Sequence, residues 1–345
     1  MLVNLALYNN MRVLVCGGAG FMGSHFIKYI LAKYPEYEVV NFDKLTYAGN
    51  LENLREVEND SRYTFVHGDI CDRATLAQVV KEHNIDAIIN YAAETHVDRS
   101  IMDPDAFLRT EILGTFNLLE VTKEFSLKKM VQVSTDEVYG SISKGTFTEE
   151  TPFAPNSPYS AAKAGADHLC RAYFVTYKTP VIVSHSCNFY GTHQFPEKLI
   201  PFFITNLLEG KKVPLYGDGK NVREWIHTSD HCRAIDTLLH KAEPGSVYNI
   251  GSGKELENVA ITKFILEYMD FGEEMIEQVT DRPGHDRRYA IDCSKMKKDF
   301  GWQAEKDFKE GLRETIDWYK NNPQWWQPLK NGAHAEYFKK QYSKK

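Results

Sequence analysis

The sequence predicts an α/β protein: a doubly wound parallel sheet followed by a smaller C-terminal region that would hold a substrate. Three observations lead there. Short apolar runs alternate with helical-period segments through the first half of the chain, the pattern of a parallel sheet with right-handed crossovers. A glycine-rich turn joins the first run to the first helix. Hydroxyls and carboxylates stand where later runs end, which in an open α/β sheet is where ligands bind.

The first strand is expected at Arg12 to Cys16, followed by Gly17-Gly18-Ala19-Gly20-Phe21-Met22-Gly23 and a helix to about Lys33. Gly17, Gly20 and Gly23 permit a tight turn, close backbone approach to a pyrophosphate and helix-on-strand packing, and the helix N-terminus offers free N–H groups to an anion. A second strand, Glu38 to Phe42, closes on Asp43, twenty residues beyond Gly23. A carboxylate there accepts both ribose hydroxyls and repels a 2′-phosphate, so NAD is expected rather than NADP. Asp43 as a plain turn cap is the competing reading.

Tyr63 to His67 is a third strand, with Asp69-Ile70 placed to hold an adenine or simply to turn the chain. Asp86 to Asn90 is a fourth. It runs into Tyr91-Ala92-Ala93-Glu94-Thr95-His96, where small side chains let a cofactor lie against the backbone. A long helix is expected from Asp103 to Glu124, with Pro104 in its first turn. Met130 to Ser134 is the fifth strand, and the pattern to that point reads βαβαβαβαβ. A proline-punctuated loop then leads to a helix opened by Tyr159, and Val181 to Ser186 is a sixth strand.

Beyond about residue 190 the regularity loosens into polar loops between short elements. Residues 11–190 are therefore assigned to dinucleotide binding, 191–330 mainly to substrate binding, and 1–10 to a short extension.

Bulk properties exclude several classes. The formal net charge of −6 argues against a nucleic-acid partner and favours small-molecule chemistry. Six cysteines without zinc spacing argue for free thiols, a reducing cytoplasmic compartment and no metal. No apolar run approaches the roughly 18–20 residues that span a bilayer, and the N-terminus lacks the features of a secretory signal.

The chemistry is read from Ser134-Thr135-Asp136-Glu137-Val138-Tyr139-Gly140 and from Tyr159 and Lys163, which are one helical turn apart. A phenol with an ordinary pKa near ~10 is a poor base at neutral pH. The Lys163 ammonium and a positively charged nicotinamide are expected to favour the Tyr159 phenolate, with Thr135 bonding the same substrate hydroxyl. Tyr159 would then take a proton from an alcohol as hydride leaves for NAD+. Oxidation acidifies the neighbouring carbon, making Glu137 a candidate C–H base. A departing hydroxide needs a proton, making Asp136 the candidate acid. The bland reading of each acid is a loop cap or surface charge.

With these residues in view, residues 11 to about 329 resemble the extended short-chain dehydrogenase/reductases, and among them the dTDP-glucose 4,6-dehydratases. The resemblance rests on GGAGFMGS, DKLTYAGNLENL, HGDICD, AAETHVDRSI, STDEVYG, YSAAK, QFPEKLIP and DRPGHDRRYAID. It implies a Rossmann-like fold, bound NAD, and a sugar nucleotide oxidised at C4, dehydrated across C5–C6 and reduced at C6. It implies cofactor contacts from Phe21, Met22, Asp43, Lys44, Leu45, Thr46, Asp69, Ile70, Tyr91, Ala92, Ala93, Glu94, Thr95, Thr110, Tyr159 and Lys163. It implies substrate contacts from Thr95, Thr135, Asn188, Lys198, Leu199, Pro214, Leu215, Tyr216, Arg223, Asn258, Asp281, Arg282, Pro283, Gly284 and His285. A homodimer formed through the helices that begin near Asp103 and Tyr159, and a place in deoxysugar synthesis such as dTDP-rhamnose, are implied as well. Phe189 departs from the family pattern at a position that usually helps hold the nicotinamide side.

Three other readings compete: the same dehydration of UDP- or CDP-glucose, a sugar-nucleotide 4-epimerase, and a non-catalytic NAD-binding sensor. The Asp136-Glu137 pair discriminates against the epimerase, and the full Thr135, Asp136, Glu137, Tyr159, Lys163 set against the sensor.

Overall fold

The computed structural model describes residues 10–281 and 284–330. All but the last residue of the expected extension at 1–10, together with Arg282 and Pro283, lies outside the described residues.

Six strands form in the order the apolar runs predict: β1 (Arg12–Cys16), β2 (Glu38–Asp43), β3 (Tyr63–His67), β4 (Ala87–Asn90), β5 (Lys129–Thr135) and β6 (Val181–Ser186). A seventh, Val247–Ile250, comes from the second half of the chain. All pair in parallel, in the order Val247–Ile250, β6, β5, β4, β1, β2, β3. The direction of winding reverses between β1 and β4, and the strand ends there open a crevice.

β1 and β4, at the middle of the sheet, are apolar at all but one position each because both faces are covered. Along β1, Val13 and Val15 point to one side and pack with Phe26, Ile27 and Ile30 of helix Phe21–Lys33 and Ile235 and Leu238 of helix Thr228–Lys241. Leu14 and Cys16 point to the other, against Leu76, Val79, Leu118 and Leu119 of helices Arg73–Glu82 and Thr115–Glu124. Each residue is placed by the two-residue period of the strand. A separate core gathers Phe203, Trp225, Leu312, Ile316, Tyr319 and Trp326 in the second half. All six cysteines are free thiols.

Three expectations are corrected. Between β2 and β3 there is no α-helix, only the 3₁₀ turn Leu51–Leu54, whose Leu54 is buried in the first-face core, while Lys44, Thr46 and Tyr47 ahead of it line the crevice. The loop after β4 contains a short helix, Val97–Met102. The single helix expected from Asp103 to Glu124 is Pro104–Leu108, a π-helical segment Arg109–Gly114, and Thr115–Glu124. The wider turn turns Glu111 inward, where it is fully buried.

The two helices on the first face are clasped by one carboxylate. Asp236 accepts hydrogen bonds from Tyr29 (3.0 Å), Tyr34 (2.9 Å) and Lys33 (2.5 Å) and lies 2.9 Å from His240 Nδ1. These donors hold its carboxyl below the ordinary range against the opposing effect of burial. Asp236→Ala is expected to cost about 1–3 kcal/mol in urea denaturation at neutral pH. Because the folded pKa is depressed, that contribution is full above the unfolded value and is lost as pH falls through the folded one. The gap between wild type and variant should therefore narrow below about pH 4.

Candidate active site

The glycine turn is shaped by its neighbours. A Cβ on Gly17, whose φ is +74°, would lie 2.5 Å from the Ala92 backbone nitrogen, and one on Gly23 would lie 2.2 Å from the Gly17 carbonyl oxygen. The β1 turn, the first helix and the loop after β4 are therefore in backbone contact, and Gly20, where a Cβ would lie 3.2 Å from the Gly17 carbonyl oxygen, lines the cleft between them. This arrangement fits a dinucleotide: a pyrophosphate could approach the N-terminus of helix Phe21–Lys33 without meeting a side chain at Gly20. Asp43 braces the same turn, accepting the Ala19 N–H (2.9 Å) and the Leu45 N–H (2.8 Å).

One cleft of about 400 Å³ runs from this turn to the second half of the chain. It is lined by every residue expected to hold the cofactor except Leu45. Leu45 has a positive φ of 52° and serves the bend through its backbone. Lys44 and Asp69 pair at 2.6 Å beside the adenine end.

β5 ends in Thr135, which caps the one-turn 3₁₀ helix Asp136–Tyr139 by accepting the Glu137 N–H at 3.3 Å. The tight turn resolves the alternation problem of adjacent acids on a strand: Asp136 and Glu137 both line the cleft. Asp136 is 1% exposed. Burial, then Glu137 and Glu224, push its carboxyl well above the usual range, with Arg223 opposing. Its Oδ2 has no hydrogen-bond partner among the described residues. This setting favours its protonated form, which suits a proton donor.

Tyr159 and Lys163 sit on helix Pro158–Tyr177, started by a capping box between Ser157 and Ser160 with Pro158 in the first turn. In the protein alone, burial, then Glu137 and Glu111, push the Tyr159 phenol well above its ordinary value, with the Thr135 hydrogen bond opposing them. Lys163 does not present a lone positive charge, because its Nζ lies 2.8 Å from Glu111 Oε2. Sequence reasoning missed Glu111; its one legible signal was a carboxylate inside an apolar-periodic helix.

On the substrate side, Asn188, Lys198, Leu199, Pro214, Leu215, Tyr216, Arg223, Asn258 and His285 line the cleft with Thr95 and Thr135. Lys198 donates to the Thr95 carbonyl, and Tyr216 to Asp98 at 3.3 Å. The Arg223 guanidinium bonds the Asp286 carbonyl and stacks 4.2 Å from the centre of the Tyr289 ring. Asp281 and Gly284 do not line the cleft. Asp281 instead contacts His285 Nδ1 at 2.6 Å, and Gly284 turns the loop with a φ of +66°. Arg282 and Pro283 lie outside the described residues. Phe189 lines the cleft and packs edge-on against buried His231, with ring centres 4.5 Å apart.

Tyr47 and Glu197 also line the cleft and were not anticipated. Glu197 accepts from Tyr47 (2.9 Å) and pairs with Arg99 (3.0 Å), joining the loop after β2, the helix after β4 and the second half of the chain. Their motifs were visible in the sequence, but three-way contact between distant segments leaves no local pattern. Among the described residues, no group of three or more His, Cys, Asp or Glu side chains could hold a metal, and no helix is long and apolar enough to cross a membrane.

Comparison with known proteins agrees with this geometry. The family model described as GDP-mannose 4,6 dehydratase matches residues 14–315. The dTDP-glucose 4,6-dehydratase of Escherichia coli is 45% identical, covering 94% of this chain and 98% of the relative. The crystal structure of the dTDP-glucose 4,6-dehydratase of Bacillus anthracis in complex with NAD is 51% identical, with a TM-score of 0.87 over 92% of this chain and 99% of that one. The Streptomyces venezuelae enzyme of the same name, with NAD and TYD bound, is 49% identical, with a TM-score of 0.90 over 92% of this chain and all of that one. With its Rossmann-like sheet, glycine turn and paired acids in one cleft, the chain belongs to the NAD-dependent dTDP-glucose 4,6-dehydratase family of extended short-chain dehydrogenases/reductases.

Proposed function

We propose that this cleft converts dTDP-glucose to dTDP-4-keto-6-deoxyglucose, with Asp136, Glu137 and Tyr159 dividing the proton transfers. The observation that carries this reading is the buried Asp136, its carboxyl pushed well above the usual range, beside Glu137 at the end of β5 in the cleft that also holds Tyr159. When bound, NAD+ accepts hydride from C4, returns it to C6, and brings a positive charge to the phenol's side of the cleft. Gly17, Gly20, Gly23, Asp43 and the loop Tyr91 to Thr95 would hold it.

Tyr159 takes the C4 hydroxyl proton, with Thr135 aligning that hydroxyl. The resulting ketone acidifies C5–H, which Glu137 removes as the C6–O bond breaks. Asp136 delivers its proton to the departing hydroxyl, so that water leaves rather than hydroxide. Lys198 and Arg223, which line the cleft, and Arg282, which lies outside the described residues, are the expected ligands of the nucleotide diphosphate end. Six free thiols support a cytoplasmic setting.

We also propose a homodimer. Met102, Leu108 and Leu113 on the segments from 97 to 114 are 49%, 48% and 41% exposed, and Tyr177 at the end of the Tyr159 helix is 55% exposed. Large apolar groups clustered on neighbouring helices mark a contact surface. Changing both Leu108 and Leu113 to Asp should convert a dimer to a monomer by light scattering; an unchanged mass would place the contact elsewhere.

The reaction is tested by incubating the purified protein with dTDP-glucose and, separately, UDP-glucose, and weighing the products. Loss of one water from the dTDP substrate alone is expected. Water loss from UDP-glucose would move the substrate, and unchanged masses would direct attention to epimerised product. Glu137→Gln should still accumulate reduced cofactor by absorbance while losing water at least about 100-fold more slowly; dehydration at the wild-type rate would refute its role as the C5 base.

A further inference from the structure

Glu111 takes no part in the proton transfers above, yet it is fully buried directly behind them. It lies in the π-helical segment Arg109–Gly114. Its Oε1 accepts the Glu94 backbone N–H at 3.0 Å, and its Oε2 is 2.8 Å from Lys163 Nζ. Lys163 in turn donates to the Val133 carbonyl at 3.2 Å. The side chains of this pair are 4% and 0% exposed, so water does little to screen them.

An ammonium matched with a carboxylate in contact acts on a third group as a dipole rather than a charge, and its effect falls off steeply with distance. The carboxylates that bear most on Tyr159 are then Glu137 from the turn after β5 and Glu111 from the π-helical segment, with the Asp136 carboxyl and the neutral Thr135 hydroxyl beside them. Glu111 itself faces Lys163 and Asp167 on the Tyr159 helix and Glu94 on the loop after β4.

We propose that Glu111 is a positioning residue for the base: it cancels the charge of Lys163 and ties it to the Glu94 end of the cofactor loop, so that Lys163 does not charge Tyr159 from one turn along the same helix. This rests on the reading of Tyr159 as the base. Exchange of Glu111 for a neutral amide leaves a positive charge beside the phenol and removes a negative one, and both changes favour the phenolate.

The test is the pH dependence of kcat/KM for wild type, Glu111→Gln and Glu111→Asp, with Tyr159→Phe alongside. Glu111→Gln should move the acid limb to lower pH by about one unit or more, and Glu111→Asp, which keeps the charge, should leave it in place. Ultraviolet difference titration of nucleotide-free E111Q against E111Q/Y159F reads the phenolate directly. It should appear at lower pH than in wild type against Y159F. Should Glu111→Gln not fold, Glu111→Asn, whose shorter amide leaves room for a water beside Lys163, carries the same expectation. An unmoved limb and phenolate titration in a folded amide variant, or an equal shift with Glu111→Asp, would overturn the proposal. Activity surviving in Tyr159→Phe would instead overturn the assignment of the base, whatever Glu111 does.

Discussion

Carboxyl groups withdrawn from water are the constraint on which this cleft depends. A buried carboxylate is costly unless something replaces its hydration, and the protein meets that cost in three different ways. Asp43 and Glu224 accept backbone N–H groups, from Ala19 and Leu45 in one case and Gly253 in the other. Glu111 and Glu197 are matched with cations, Lys163 and Arg99. Asp136 accepts from the Thr135 hydroxyl at 3.4 Å, and burial, then Glu137 and Glu224, push its carboxyl well above the usual range. The same functional group thus becomes a brace, a counter-charge or an acid according to what surrounds it.

The acid pair stays in place because the turn that bears it is tied to three strands and a helix. Ser134 donates to Asp167 at 2.7 Å, and Asp167 lies 3.1 Å from His185 Nε2 on β6. His185 Nδ1 lies 2.6 Å from the Tyr139 hydroxyl, which donates to Asn249 Oδ1 at 2.9 Å. The Asn249 amide nitrogen donates to the Phe147 and Asp292 carbonyls, which orients its oxygen toward Tyr139. This chain runs behind Asp136 and Glu137 and joins β5, β6, the strand Val247–Ile250 and the Tyr159 helix, so both sides of the proton-transfer apparatus share one rigid backing.

The first half of the chain was legible because its signals are local. Apolar runs of strand length, the glycine turn and the capping signals before Tyr159 each act within a few residues, and β1, β3 and β6 fall where those runs predict. What sequence patterns misjudged was set by partners far along the chain. The segment from β2 to β3 begins along the cleft and forms no α-helix, and the helix after Asp103 widens at Arg109–Gly114, where Glu111 meets Lys163. The seventh strand, Val247–Ile250, reaches the sheet from beyond residue 240 and pairs with β6.

The sequence by itself determined the chemistry on offer: a dinucleotide turn, two adjacent acids after a strand, and a tyrosine and lysine one turn apart on a helix. Those depend on residue type and short spacing, which a chain carries unfolded. The tertiary structure alone decided the electrostatic setting of each group. Burial, Glu137 and Glu224 converge on Asp136 and push its carboxyl up, and Tyr159 stands beside Glu137 and Glu111 with its lysine already paired. Those outcomes follow from distances and exclusion of water between segments remote in sequence, and such quantities exist only once the chain has folded.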